Sequence, residues 1–196
     1  MSQTTNTEAL DVLNPFIVLR KAARTNNGTL LTQEDISILS GVSAQYIGRQ
    51  ESGLINSPSP TVRQVLEGLD YRSNYFGLSG VVSDGVADIA IVTGAAPGIE
   101  IEGINEWWEY WVRAKRWVLH DALAEEDFSD CITMSQVILK VTSSLNRQST
   151  VYEFCKLLAL HPYSVQSVLS QKHISGKLPV ALFQAGINWG PNSVAA

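Results

Sequence analysis

The three histidines and two cysteines are the residues whose types could hold a metal or run thiol chemistry, and their spacing assembles no such site. His120 and Asp121 are adjacent and both could ligate a metal, but no companion histidine or acid stands at ligand spacing, so a surface or helix-capping role is expected. Cys131 and Cys155 sit in apolar sequence with neither a C-x-x-C pairing nor a neighbouring histidine, and they read as reduced, buried small residues. Trp107, Trp108 and Trp111 could stack on flat ligands. Glu106 and Glu109 interleave them where basic residues would be needed for nucleic acid, so these tryptophans are expected in a core.

A second cluster concerns phosphate. The stretch IAIVTGAAPGIE reads as a strand feeding a glycine-rich turn, and it resembles the start of a short-chain dehydrogenase; Tyr152 and Lys156 even repeat that family's Y-x-x-x-K spacing. Glu100, however, stands where the third glycine should open the helix, and its carboxylate would repel a pyrophosphate. Only about 100 residues follow Gly94, too few for a doubly wound sheet whose βαβ units take about 30 residues each. The chain is therefore expected to be no enzyme, with no cofactor, no metal and no catalytic residue.

The elements that must position any other site follow from bulk properties. With 196 residues and 45% hydrophobic content, the chain can bury one sizeable core or two small ones. No apolar run approaches the length of about 18 residues that spans a membrane, and the first residues lack a basic segment followed by an apolar one. No membrane association and a cytoplasmic location are expected. The net charge of −5 argues against an unspecific nucleic-acid coat. That charge is unevenly spread: residues 1–78 hold six basic and seven acidic side chains, 79–131 three and eleven, and 132–196 five and one. Either end could thus approach a phosphate backbone.

In the first third, Asn14-Pro15 starts a helix running to about Arg24, because asparagine caps free N–H groups and proline fits the first helical position. Asn26, Asn27 and Gly28 suit its end. Thr32 followed by Asp35 is a variant capping box, and Ile36, Leu39 and Val42 recur at helical spacing, predicting a helix from Gln33 to Ser40. Gly41 permits a sharp turn, Ser43 caps a third helix, and after Pro58 and Pro60 the residues Val62, Val65, Leu66 and Leu69 form the stripe of a fourth.

The segment TQEDISILSGVSAQYIGRQESG resembles the core of the XRE/Cro-type helix-turn-helix family of phage repressors, over roughly residues 10 to 70. Ser37 and Gln50 depart from that family, which carries alanine and an aliphatic residue there. The resemblance implies that the second helix of the motif enters a major groove, with Ser43, Ala44, Gln45 and Arg49 facing DNA. It implies further that Gln45 reads adenine, Arg49 reads guanine through its fork, and Ala44 touches a thymine methyl. Gln33 would hold a phosphate, and Asn56, Ser57 and Arg63 are additional phosphate candidates.

Beyond Ile104 the pattern is again helical, to about Ala124 and then from Met134 to Leu145. The segment TVYEFCKLLALHPYSVQSVLSQ repeats the earlier spacing, with Phe154, Leu160 and Val165 standing where Ile36, Val42 and Ile47 stood and Ala159 in place of Gly41. It resembles a second helix-turn-helix; a plain helical cap is the alternative. Its expected exposed residues are Tyr163, Gln166, Ser167 and Ser170, with Lys172, His173 and Lys177 just beyond.

The expected fold is mainly α. It comprises a helix-turn-helix DNA-binding domain over 1–72, a Gly-rich connector over 73–103 holding a small hairpin, and a helical domain over 104–190. The expected function is a sequence-specific transcriptional repressor whose partner is a double-stranded DNA operator, occupied so as to block polymerase. Its two-unit organisation resembles immunity repressors of temperate actinobacterial phages. No β-rich run carries the spaced serine and lysine of self-cleaving repressors. The competing expectation is an antitoxin-like or adaptor protein whose carboxy-terminal half grips a protein partner or a second copy of itself.

Overall fold

Local capping chemistry sets where most helices of the computed structural model begin; residues 14–23, 28–72, 81–82, 103–172 and 176–189 are described. Helix α1 (Pro15–Ala22) starts as expected: Asn14 Oδ1 accepts from Phe16 N at 2.9 Å and Pro15 occupies the first turn. Helix α2 (Gln33–Ser40) starts at a complete capping box, in which Asp35 Oδ2 accepts from Thr32 N at 2.7 Å and Thr32 Oγ1 accepts from Asp35 N at 3.1 Å. It ends at Gly41, left-handed at φ 69°, where no neighbouring atom lies near a would-be Cβ. Helix α3 (Ala44–Glu51) starts from Ser43, whose Oγ accepts from Tyr46 N at 3.3 Å. Helix α4 (Pro60–Glu67) starts at its proline.

Strands β1 (Tyr71–Arg72) and β2 (Val81–Val82) pair antiparallel, with Tyr71 opposite Val82 and Arg72 opposite Val81. Tyr71 also bridges to Ala23, and its buried hydroxyl donates to Leu66 O. The hairpin expected from VADIAIVTG and GIEIEG, like the glycine-rich turn between them, lies outside the described residues.

Helix α5 (Ile104–Ala122) is followed by α6 (Met134–Ser144), α7 (Val151–Leu158), α8 (Pro162–Leu169) and α9 (Lys177–Gln184). Among the described residues the chain is mainly helical, and no helix is long and apolar enough to cross a membrane.

Two compact units result, and their limits differ from the expected domain boundaries. One comprises Leu13–Ser52 and Ser57–Trp111; the other comprises Gly53–Asn56 and Val112–Ala196. The break therefore falls inside α5, after Trp111, and the short segment that leaves α3 belongs to the carboxy-terminal unit. In the amino-terminal unit Phe16 meets Trp108 edge-on at 5.7 Å between centroids, with Trp108 against Trp111 at 4.8 Å. All three tryptophans of this stretch are buried, so they are core residues. In the carboxy-terminal unit Leu54, Leu119, Val137, Val141, Phe154 and Leu158 belong to one apolar cluster. Cys155 lies within it, and burial pushes its thiol up to about 12, which leaves it protonated and inert.

Candidate nucleic-acid interface

A helix of eight residues is about 12 Å long, and α3 presents its two faces to different surroundings. Ile47, Gln50 and Glu51 are buried, whereas Gln45 is exposed and Arg49 half-exposed on the opposite side, four residues apart and therefore neighbours on one face. No carboxylate lies within ion-pair distance of Arg49 among the described residues.

What holds α3 in place is a polar brace that spacing arguments did not identify. Glu51 accepts from Arg20 Nε at 2.5 Å and from Arg20 Nη2 at 2.9 Å, while Arg20 Nη1 donates to Leu31 O at 3.1 Å. The Glu51 carboxylate holds the Arg20 guanidinium above its usual range. Gln33 Nε2 donates to the same carboxylate at 2.8 Å, and the Gln33 amide packs beside Gly48, its Oε1 at ordinary contact distance, 3.5 Å, from where a Cβ would stand. At the same end of α3, Asn14 Nδ2 donates to Gln50 O at 2.9 Å. Three helices are thus tied at one carboxylate, a charge-assisted arrangement stronger than neutral hydrogen bonds. The readable signal was a glutamate in the last turn of a helix, with Arg20, Arg24 and Arg49 upstream of it. Nothing in the spacing singles out Arg20 as its partner.

The expected site residues fall into three groups. Ser43, Ala44, Gln45 and Arg49 share the first turns and outer side of α3, and Gln33 lies beside them with its amide nitrogen turned inward to Glu51. Ser57 is exposed, and Arg63 is partly exposed and pairs loosely with Glu67 at 3.7 Å. Asn56 belongs elsewhere: it sits in the carboxy-terminal unit, where its Oδ1 accepts from His161 N at 3.3 Å and its backbone O accepts from Lys177 Nζ at 3.4 Å.

The carboxy-terminal group repeats the amino-terminal geometry. Every boundary of α7 and α8 lies 118 residues beyond its counterpart in α2 and α3: Gln33 to Val151, Gly41 to Ala159, Ser43 to His161, Ala44 to Pro162. Ala159 adopts the left-handed backbone of Gly41, at φ 50°, and Gln171 the positive φ of Gly53. Threonine caps the first helix of each pair, Thr150 Oγ1 accepting from Glu153 N at 3.1 Å. Phe154, Leu160 and Val165 are buried where Ile36, Val42 and Ile47 stand in the first pair.

Tyr163, Gln166, Ser170, Lys172 and Lys177 are exposed. Ser167 is not: it is 2% exposed, and its Oγ donates to Ser164 O at 3.2 Å. The expectation that Ser167 faces outward is corrected: 167 stands where the half-exposed Arg49 does, but a short serine hydroxyl folds back onto its own helix backbone and does not reach outward as an arginine does. Arg116 is the brace of this unit, donating from Nε to Leu158 O at 2.8 Å, from Nη1 to Gln184 Oε1 at 2.7 Å and from Nη2 to Ala159 O at 3.4 Å. Burial lowers its guanidinium to about 10, so it stays charged at neutral pH.

No protein-family model, curated protein or solved structure matches the chain. His120 and Asp121 are largely exposed, and among the described residues no cluster of three or more histidine, cysteine, aspartate or glutamate side chains could hold a metal ion.

Proposed function

We propose that this chain is a sequence-specific DNA-binding protein acting as a transcriptional repressor, and that α2, the Gly41 turn and α3 are a helix-turn-helix. One observation carries the reading: α3 is braced from behind through Glu51 while Gln45 and Arg49 stand together on its outer side. A major groove about 12 Å wide admits one helix, an amide at 45 can pair bidentately with adenine, and a guanidinium at 49 with guanine. Ser43, Ala44 and Gln33 would flank these contacts, with Ser57 and Arg63 toward phosphate. Repression then follows from occupancy of an operator, in the manner of a phage or prophage repressor.

The same reading extends to α7 and α8 as a second helix-turn-helix. There Tyr163 takes the place of Gln45, and Gln166 and Ser170 are exposed beside Lys172 and Lys177. The two reading helices differ at Gln45 against Tyr163 and at Gly48 against Gln166, so one chain would recognise an asymmetric site.

Selection of duplexes from a random pool is the test. Gln45→Ala and Arg49→Ala should each relax preference at their own base pair, by about 1–3 kcal/mol of discrimination, while Tyr163→Ala with Gln166→Ala should relax a separate half of the site. An unchanged preference in both single variants rejects the reading. A second reading is favoured by the exposure of Trp117 (73%) and Phe183 (78%), which suits a protein partner on the carboxy-terminal unit in an adaptor or antitoxin-like protein. In that case selection enriches only the half read by α3.

A further inference from the structure

The inner face of α3 carries a defect. Gln50 is fully buried, and neither its Oε1 nor its Nε2 has a hydrogen-bond partner among the described residues, whereas its backbone carbonyl accepts from Asn14 Nδ2 and Ser52 N. A buried amide without partners loses its hydration and gains nothing in return, so an apolar side chain of similar shape would make the folded state more stable. The chain supplies its own comparison: 118 residues on, at the matching position of α8, stands Val168. Among the described residues the amino-terminal unit also buries Trp107 Nε1 and Arg63 Nε without a hydrogen-bond partner, and the other unit buries Arg147 Nε so, while its Arg116 has all three nitrogens bonded.

We infer that Gln50 is a built-in weakness that makes α3 open before the matching helix α8, and that release of DNA proceeds through this local opening. The inference rests on the DNA reading for its functional half only. It supplies a release route that needs neither chain cleavage nor a bound inducer: beside the Glu51 brace the last turn of the reader helix buries two unsatisfied amide atoms, and its opening withdraws Gln45 and Arg49 together. Native-state opening of this kind is read directly by amide exchange.

The experiment is hydrogen exchange on the full chain without DNA, followed residue by residue by NMR. In the unsubstituted protein, amides of residues 47–51 should exchange at least tenfold faster than those of residues 165–169. Gln50→Met, which keeps the side chain's length and removes both orphaned atoms, should slow exchange of residues 47–51 about tenfold and leave 165–169 unchanged. Gln50→Leu serves the same purpose if the methionine packs poorly. Equal protection of the two helices in the unsubstituted protein, or unchanged exchange in a folded Gln50 variant, overturns the inference.

Dissociation from the duplex enriched by selection is then timed. Gln50→Met should leave it severalfold more slowly with the same base preference, and an equal off-rate despite slowed exchange overturns the release step. Failure to bind any duplex would instead reject the DNA reading, with the exchange comparison still deciding whether α3 is the weaker helix.

Discussion

Ala159 holds a backbone conformation that glycine holds in the matching turn, and the two positions form an internal experiment on a single residue. At Gly41 the left-handed φ of 69° is free of steric cost and a Cβ would meet nothing within 4 Å, so Gly41→Ala changes backbone energy alone. At Ala159, with φ 50° and ψ 57°, the cost is already present in the native chain. A left-handed L-residue costs roughly 1–2 kcal/mol, offset in part by the greater unfolded-state freedom of glycine. Gly41→Ala should therefore lower the stability of the amino-terminal unit by about 1 kcal/mol, and Ala159→Gly should raise that of the carboxy-terminal unit by about 0.5–1 kcal/mol. Urea titration of each variant beside the unsubstituted chain checks both signs; destabilisation by Ala159→Gly would show that packing of its buried methyl outweighs the backbone term. Arg116 explains why the strain is tolerated, since it bonds the carbonyls of both Leu158 and Ala159 that the turn would otherwise orphan.

Helices were the most legible level. Thr32, Asp35, Gly41 and Ser43 each carry a backbone preference that acts over three or four residues, and α2 runs over the residues those preferences predict. The limits of α3, the recurrence of the same spacing in α7 and α8, and the tryptophan core were readable for the same reason. What lay beyond reach was long-range pairing: Arg20 meets Glu51 across 31 residues and Arg116 meets Gln184 across 68, and a charged side chain gives no local sign of its partner. Ser167 went astray because its register matches that of Arg49, while its short side chain turns back to Ser164 O. The capping box makes one pH dependence predictable. Hydrogen bonds from the Thr32 backbone and hydroxyl hold the Asp35 carboxyl below its usual range, so the unfolded chain takes up that proton first. The contribution of the box is complete above the ordinary carboxylate range and is lost as pH falls through the lowered value of the folded chain. Acid titration followed by NMR should show the Asp35 carboxyl titrating below a free aspartate, with the Thr32 and Asp35 amide signals moving at the same midpoint. Asp35→Asn should remove that transition while leaving the one at Asp127, which Ser129 lowers in the same way.

The molecule as a whole divides where composition gives no sign of it. Glycine-rich sequence from 73 to 103 invites a boundary there, yet the residues that complete the amino-terminal unit come after it: Ile104 and Trp107 are fully buried, and Trp108 closes on Phe16. A boundary inside a continuous helix leaves no mark, because the helical period runs through Trp111 and Val112 unbroken while the core it serves changes. The segment from Gly53 to Asn56 is equally silent, four residues whose Leu54 packs in the other unit's apolar cluster. The consequence is that the amino-terminal unit cannot be isolated by cutting at the glycine-rich stretch. A fragment ending at residue 80 would expose Phe16 and lose three buried tryptophans, and removal of one buried aromatic side chain from a core costs about 3–5 kcal/mol, a large part of the stability of a small domain. Such a fragment should therefore show no cooperative melting by circular dichroism and no sequence preference in duplex selection, even though it retains Gln45 and Arg49. Trp108→Ala in the full chain should reproduce part of the effect, lowering the stability of the amino-terminal unit by about 3 kcal/mol while residues 165–169 keep their exchange protection. A fragment of residues 1–80 that melts cooperatively and selects the same duplexes would show instead that α1 to α4 hold their own core, and that the tryptophans of α5 cover it without completing it.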